Sequence, residues 1–169
     1  MKHRLHVVLL WLWKRLPIPR WGRWAVISFL NTKFLVGVVG IVFDEQERFL
    51  VVHHTYRQRY PWGLPGGWVS GSERLEQALE RELREETGYE IAVGEVCHVR
   101  SGYPRPQMDI FFLCEYRGGD FQPDAEIDAA RFCTLDDLSA PLLPGHRPII
   151  EAALNRKRER ETVKAEEIA

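Results

Sequence analysis

Gly67-Trp-Val-Ser-Gly-Ser-Glu73-Arg-Leu-Glu-Gln-Ala-Leu-Glu-Arg81-Glu82-Leu-Arg-Glu85-Glu86-Thr-Gly88-Tyr89 reads as a glycine-rich loop feeding a helix that stops at Gly88. At about 100° per residue, with Glu82 set at zero, Leu75, Leu79 and Leu83 fall at roughly 20°, 60° and 100° and Ala78 at roughly 320°, which defines a buried face. Glu85 and Glu86 fall at roughly 300° and 40°, so with Glu82 they form an i, i+3, i+4 trio in or beside that apolar arc. The other half carries Glu76, Gln77, Glu80, Arg81 and Arg84. Its pairs Glu80–Arg84 and Arg81–Glu85 are ordinary i, i+4 partners on a solvated face.

Like charges at this spacing repel, and half-burying them is costly unless something cationic compensates. A hard divalent cation would do so. Carboxylate oxygens suit magnesium or manganese, which keep most of their waters and bind through a few acids plus substrate phosphates. The expected site is therefore half protein and half phosphate.

Gly67, five residues, Glu73, seven residues, then Arg81-Glu82-Leu83-Arg84-Glu85-Glu86-Thr87-Gly88 resembles the Nudix box of the Nudix hydrolases. The fixed positions of that signature are matched, and the last aliphatic position is Tyr89 here. Where many members place Gly directly before the first Glu and an acid near position 70, this chain has Gly71, Ser72 and Ser70. The resemblance implies an α/β (α+β sandwich) fold, a mixed β-sheet between helices. It implies Mg²⁺-dependent hydrolysis, with Mn²⁺ as a substitute, of the pyrophosphate bond of a nucleoside diphosphate linked to another moiety: ADP-ribose-like, a nucleotide sugar or a (d)NTP.

Carried onto this chain, the resemblance makes Glu82, Glu85, Glu86 and the Gly67 carbonyl the metal-holding set, with Glu73 and Arg81 orienting it. The base in the family is either a glutamate of the box or one from a later loop, so Glu82 and Glu126 share the assignment, with Asp124 and Asp128 as rivals to Glu126. A proline about fifteen residues past the box is associated in the family with ADP-ribose hydrolases, and Pro104 occupies that place, with Tyr103 and Pro106 beside it. Two other readings stay open. One is a membrane-surface hydrolase of a lipid-linked or CDP-alcohol diphosphate; the other is a non-catalytic nucleotide-binding module, against which the intact glutamate trio argues.

A chain of 169 residues suits one full domain with an appended element. With a formal net charge of −1 and a pI near 6.6, it offers no general polyelectrolyte attraction, so no nucleic-acid partner is expected and affinity for phosphate must be local. Cys97, Cys114 and Cys133 lie in apolar, strand-like runs without zinc spacings, which suggests buried reduced thiols in a cytoplasmic protein.

Residues 1–33 form an N-terminal apolar and basic helical extension. The apolar run from residue 5 to 16 is too short to span a bilayer and is interrupted by Lys14 and Arg15. After Pro17 and Pro19, Trp21 to Leu30 forms a second apolar segment flanked by Arg20, Arg23 and Lys33. These segments are expected to pack on the domain or a second copy of the chain, or to lie in a membrane interface, where Trp and Arg are favoured.

Residues 34–156 are expected to form the catalytic domain. Phe34 to Phe43 and Arg48 to His54 read as antiparallel strands joined by a polar turn, and Glu90 to Arg100, Gln107 to Arg117 and Ile127 to Cys133 as further strands. In the aromatic and basic loop between Thr55 and Trp62, Arg57 and Arg59 are candidates for phosphate and Tyr56, Tyr60 or Trp62 for base stacking. His53 and His54, with no partner visible in sequence, are left out of the site. Period-two alternation sets Asp109 apart from Met108, Ile110, Phe112 and Cys114, which marks it as a substrate-binding candidate. Leu135 to Leu138 reads as a short helical turn, and Gly145 to Arg156 as a helix burying Ile149, Ile150, Ala153 and Leu154. Residues 157–169 read as a charged tail that frays.

Overall fold

The structure, a computed structural model, describes residues 19–102, 104–138 and 141–168. The chain divides into two units, Met1–Lys33 and Phe34–Ala169. In the first, α1 (Arg20–Leu30) starts after Pro19 and ends where Asn31 donates from its backbone N–H and, at 2.7 Å, from its side-chain amide to the Ile27 carbonyl. None of its residues is buried. The helical run expected over residues 5–16 lies outside the described residues.

The second unit is built on a seven-stranded mixed sheet: β1 (Leu35–Phe43), β2 (Phe49–His54), β3 (Trp62–Gly63), β4 (Gly66–Trp68), β5 (Glu90–Ser101), β6 (Gln107–Gly118) and β7 (Ile127–Cys133). The β-branched runs read from sequence as strands are strands. Asp44 makes the β1–β2 turn by accepting from the N–H groups of Gln46 and Arg48. The two strands diverge at once, however, and only Phe43 and Phe49 face each other. β1 runs parallel to β6 along its whole length and antiparallel to β4, whereas β2 pairs antiparallel with β7 and β3.

Alternation along these strands builds two cores, one on each side of the sheet. Val38, Val42, Leu50, Phe112 and Cys114 pack with Ala78, Leu79 and Leu83 of α2 (Leu75–Thr87). Ile41, Phe43, Phe49, Val51 and Phe111 pack with Ile149, Ile150 and Ala153 of α3 (His146–Ile168), with Leu154 at the margin. The sheet is therefore held between helices, as the resemblance implies. The buried thiols of Cys114 and Cys133 are pushed up to about 12 and about 11 by desolvation, so both stay protonated and inert at neutral pH.

Two expectations need correction. Leu135 to Asp137 form bends rather than a helical turn, with the Thr134 hydroxyl donating to the Asp137 carboxylate and accepting from the Asp137 N–H. The helix does not fray at Lys157 but continues to Ile168. Arg158 reaches Glu47 of the β1–β2 turn at 3.0 Å, Arg160 reaches Glu95 of β5 at 3.3 Å, and Arg156 donates to the Cys97 carbonyl at 3.2 Å, contacts with distant segments that local charge density does not reveal.

Candidate active site

The glycine loop meets the helix through backbone rather than side chains. β4 lies on β1 with Gly67 opposite Val38 and Gly66 opposite Val39. Gly66 has φ +150°, and a Cβ there would strike the Val38 carbonyl oxygen. A Cβ on Gly67 would overlap the Glu82 carboxylate. Gly66 thus lets β4 close on β1, and Gly67 lets α2 bring Glu82 against the strand backbone. At its far end α2 closes on Gly88 in the left-handed conformation, whose N–H bonds the Arg84 carbonyl.

Arg81 fastens the rest of the loop to the helix. Its Nε and Nη2 donate to the two Glu73 carboxylate oxygens at 3.1 and 2.8 Å, and Nη2 also reaches the Trp68 carbonyl at 3.2 Å. Its Nη1 donates to Glu82 at 2.9 Å and to Glu85 at 3.1 Å. The Arg81 hydrogen bonds, then the Ser70 N–H at 2.6 Å, hold the Glu73 carboxyl down to about 2.

Glu86 is in the opposite condition. It is only 9% exposed, and its Oε2 has no hydrogen-bond partner. Burial first, then the neighbouring Glu82, push its carboxyl up to about 8; a Gly66 N–H bond works the other way, and Asp124 and Glu126 add to the rise.

Beside the same glycines lies a cleft of about 180 Å³. Gly66, Gly67 and Trp68 form part of its wall, with Tyr56 and Arg57 from the loop after β2, Arg100 and Asp109 from β5 and β6, and His146 from the start of α3. Arg100 lies directly across the β5–β6 ladder from Asp109 and pairs with it at 2.8 Å, while Gln107 donates to the other Asp109 oxygen at 2.7 Å. His146 is pushed down to about 4 by burial, then by Arg100 and Arg57. His54 is likewise near 4 through burial and then Arg57.

The NUDIX domain family profile matches residues 33–153. The chain belongs to the Nudix family. It is 32% identical over 124 residues to the CTP pyrophosphohydrolase of Escherichia coli, covering 70% of this chain and 90% of that protein. It is 34% identical over 99 residues to the zebrafish (Danio rerio) 8-oxo-dGDP phosphatase NUDT18, covering 58% of this chain and 30% of that protein. The chain spans less than two thirds of the length of several curated relatives that it matches. Among solved structures, an ADP-ribose pyrophosphatase from Streptococcus suis superposes with a TM-score of 0.64 at 27% identity, covering 75% of this chain and 93% of that one.

Within this Nudix fold the box glutamates are graded rather than equivalent. Glu86 is buried, the Glu82 side chain is largely covered, and the Glu85 side chain is 62% exposed. Among the described residues no set of acidic, histidine or cysteine side chains gathers as a metal-ligand group, and Glu82 and Glu85 are paired with Arg81. The donors nevertheless fit a hard cation. An unpartnered, buried carboxylate oxygen among other acids is the atom such an ion would satisfy. Asp124 and Glu126 act on Glu86, whereas Asp128 is tied to His53 at 2.6 Å. Asp124 also accepts from the N–H groups of Glu126 and Ile127, which shapes that loop.

Of the expected substrate residues, Tyr56, Arg57 and Asp109 line the cleft. Arg59 lies over the Tyr60 ring, and Trp62 packs edge-on to His53 and beneath Arg131; neither lines the cleft. Pro104 is exposed in the β5–β6 connection and does not line it either. Arg100, Gln107, Trp68 and His146 were not anticipated. Only the Arg100–Asp109 pair carried a usable signal, a cation facing an acid once the two strands are paired in register.

A carboxyl raised in the folded state leaves stability intact below its unfolded value of 4.5 and erodes it as pH rises toward about 8. The two buried histidines act in the opposite sense between their folded values near 4 and 6.5, gaining stability as pH rises, so the difference between wild type and a Glu86 variant isolates the carboxyl. In chelator-treated protein, Glu86→Gln should gain stability over wild type as pH goes from 5 to 8, by up to about 1.4 kcal/mol per pH unit in urea denaturation. Parallel pH profiles for the two proteins would contradict this description of Glu86.

Proposed function

We propose that this chain is a Nudix-type pyrophosphohydrolase, dependent on Mg²⁺ with Mn²⁺ as a substitute, acting on a nucleoside diphosphate linked to another moiety. The observation that carries the reading is the buried Glu86 Oε2, left without a partner among acids and beside the Gly66–Gly67 backbone. Burying an acid this way is costly for a protein that only folds, and useful for one that holds a cation against phosphate. The E. coli relative named for CTP and the S. suis structure named for ADP-ribose support a diphosphate-bearing nucleotide as the substrate class.

Glu82, Glu85, Glu86 and the Gly67 carbonyl are the groups that would hold the cation. When bound, such an ion neutralises phosphate charge and acidifies water. Glu73 and Arg81 keep the loop clasped to α2, so the glutamates do not have to be ordered at each turnover. Water adds to one phosphorus as the bridging P–O bond breaks, and the water proton passes to a carboxylate. Glu82 and Glu126 share that assignment, because in the family that the resemblance points to, the base is either a glutamate of the box or one from a later loop. Tyr56 and Arg57 line the cleft where the attached group would lie, with Asp109 in its wall.

A second reading concerns where the enzyme works. The first 33 residues hold seven lysines and arginines and no acid, although the whole chain has a net charge of −1. In α1, Trp21 is 77% and Phe29 88% exposed. Basic residues mixed with tryptophan suit an anionic membrane interface, which would bring a lipid-linked or CDP-alcohol diphosphate within reach. No helix among the described residues is long and apolar enough to cross a membrane.

With Mg²⁺ and a panel of nucleoside diphosphate derivatives, products identified by mass, Glu85→Gln and Glu86→Gln should each lower kcat by about 100-fold or more while near-ultraviolet dichroism is retained. Full turnover in both variants would overturn the reading, and retained nucleotide binding with no turnover in wild type would leave a binding module. In sedimentation with vesicles, the full chain should pellet with anionic but not zwitterionic lipid, and Trp21→Ser/Trp24→Ser should reduce it severalfold. Equal sedimentation of the variant would remove the membrane reading.

A further inference from the structure

The cleft beside Gly66 and Gly67 holds two arginines and a single carboxylate among its lining residues. Asp109 is taken by Arg100 at 2.8 Å and Gln107 at 2.7 Å, so it does not answer Arg57. Arg57 has no ion pair among the described residues, and its Nη1 is buried without a hydrogen-bond acceptor. A guanidinium with no acceptor beside it is a group that a bound anion would satisfy.

The surroundings fix both guanidinium groups instead of relieving them. Arg57 sits over the Tyr56 ring at 5.6 Å, and Gly63 has no side chain where a Cβ would come within 2.8 Å of Arg57 Nη1. Arg100 lies over Phe111 at 5.4 Å. A Cβ on Gly37 would sit 3.0 Å from Asp109 Oδ1, so that glycine lets Asp109 reach its partners. His54 and His146, which could otherwise vary the local charge, are kept neutral at physiological pH by burial and by the arginines themselves. The result is a cleft with one surplus positive charge, walled by the same glycines that meet Glu82 and Glu86.

We propose that this cleft is an anion subsite in which Arg57 and Arg100 clasp a phosphate beyond the scissile pair, with Asp109 as the residue that positions Arg100. It follows that the substrate class is a nucleoside triphosphate or longer polyphosphate ester, in preference to a diphosphate joined to an uncharged sugar or alcohol. The inference rests on the pyrophosphohydrolase reading for its chemistry, but its anion-binding part does not. The cations of this cleft act on the phosphate that the box carboxylates do not reach, so the two ends of a triphosphate would be held by opposite means.

Two measurements on the full chain test it. In steady-state hydrolysis with Mg²⁺, Arg57→Gln and Arg100→Gln should raise KM for a nucleoside triphosphate at least about tenfold more than KM for a nucleotide sugar. Asp109→Asn should shift KM in the same direction with a smaller change in kcat, and Asp109→Glu should restore part of it. In calorimetry with EDTA present, wild type should bind inorganic tripolyphosphate, and Arg57→Gln should bind it at least about tenfold more weakly. Equal KM changes for both substrates would place the arginines on the scissile diphosphate and overturn the proposal, as would tripolyphosphate binding that is absent or unaffected by Arg57→Gln. A wild type that binds tripolyphosphate but hydrolyses nothing would sink the enzyme reading and leave the anion site standing.

Discussion

The constraint on which the rest of this structure depends is the contact between a side-chain-free strand and a row of acids. Gly66 lets β4 close on β1, Gly67 leaves the place of its missing Cβ to the Glu82 carboxylate, and Glu86 is buried on the same helix. Charges brought together this way are unfavourable unless something offsets them. For Glu73, Glu82 and Glu85 the offset is Arg81; for Glu86 the protein supplies only a Gly66 N–H, and the carboxyl responds by holding its proton to about pH 8. An acid left uncompensated in this way is the one that the proposed cation would offset.

The sheet makes this arrangement rigid. Because β1 carries β4 on one edge and β6 on the other, the glycine loop is fixed relative to Asp109 and, through the β5–β6 ladder, to Arg100. The core under α2 sets the helix face, with Ala78, Leu79 and Leu83 buried, so Glu86 cannot turn out to solvent without unpacking the helix. The core under α3 brings His146 to the cleft wall and closes that side. An acidic wall and a basic wall thus share one backbone segment, the arrangement that the proposed polyphosphate substrate would use.

Much of this was legible in the residues. The spacing from Gly67 to Gly88 predicted the loop, the helix, its buried face and its end, because 3.6-residue periodicity and a left-handed glycine are local properties. The β-branched runs predicted β1, β2, β5, β6 and β7 for the same reason. What escaped depends on partners far along the chain. The helix past Lys157 is held by Glu47 and Glu95, and Arg100 matters only once β5 is registered on β6. The fate of the Thr55–Trp62 loop turns on β3, where Trp62 opposite His53 is drawn under Arg131 and away from the cleft, while Arg57 is not. Burial at Glu86 was expected from its place on the wheel, but the absence of any partner for it required the packed structure.

Direct binding of Mn²⁺, followed by the loss of the free-ion electron paramagnetic resonance signal without substrate present, tests the central claim most simply. On this account wild type takes up the ion, and Glu86→Gln does so at least about tenfold more weakly. Equal uptake by the two proteins, or none by wild type, would mean that the buried carboxyl is not waiting for a cation.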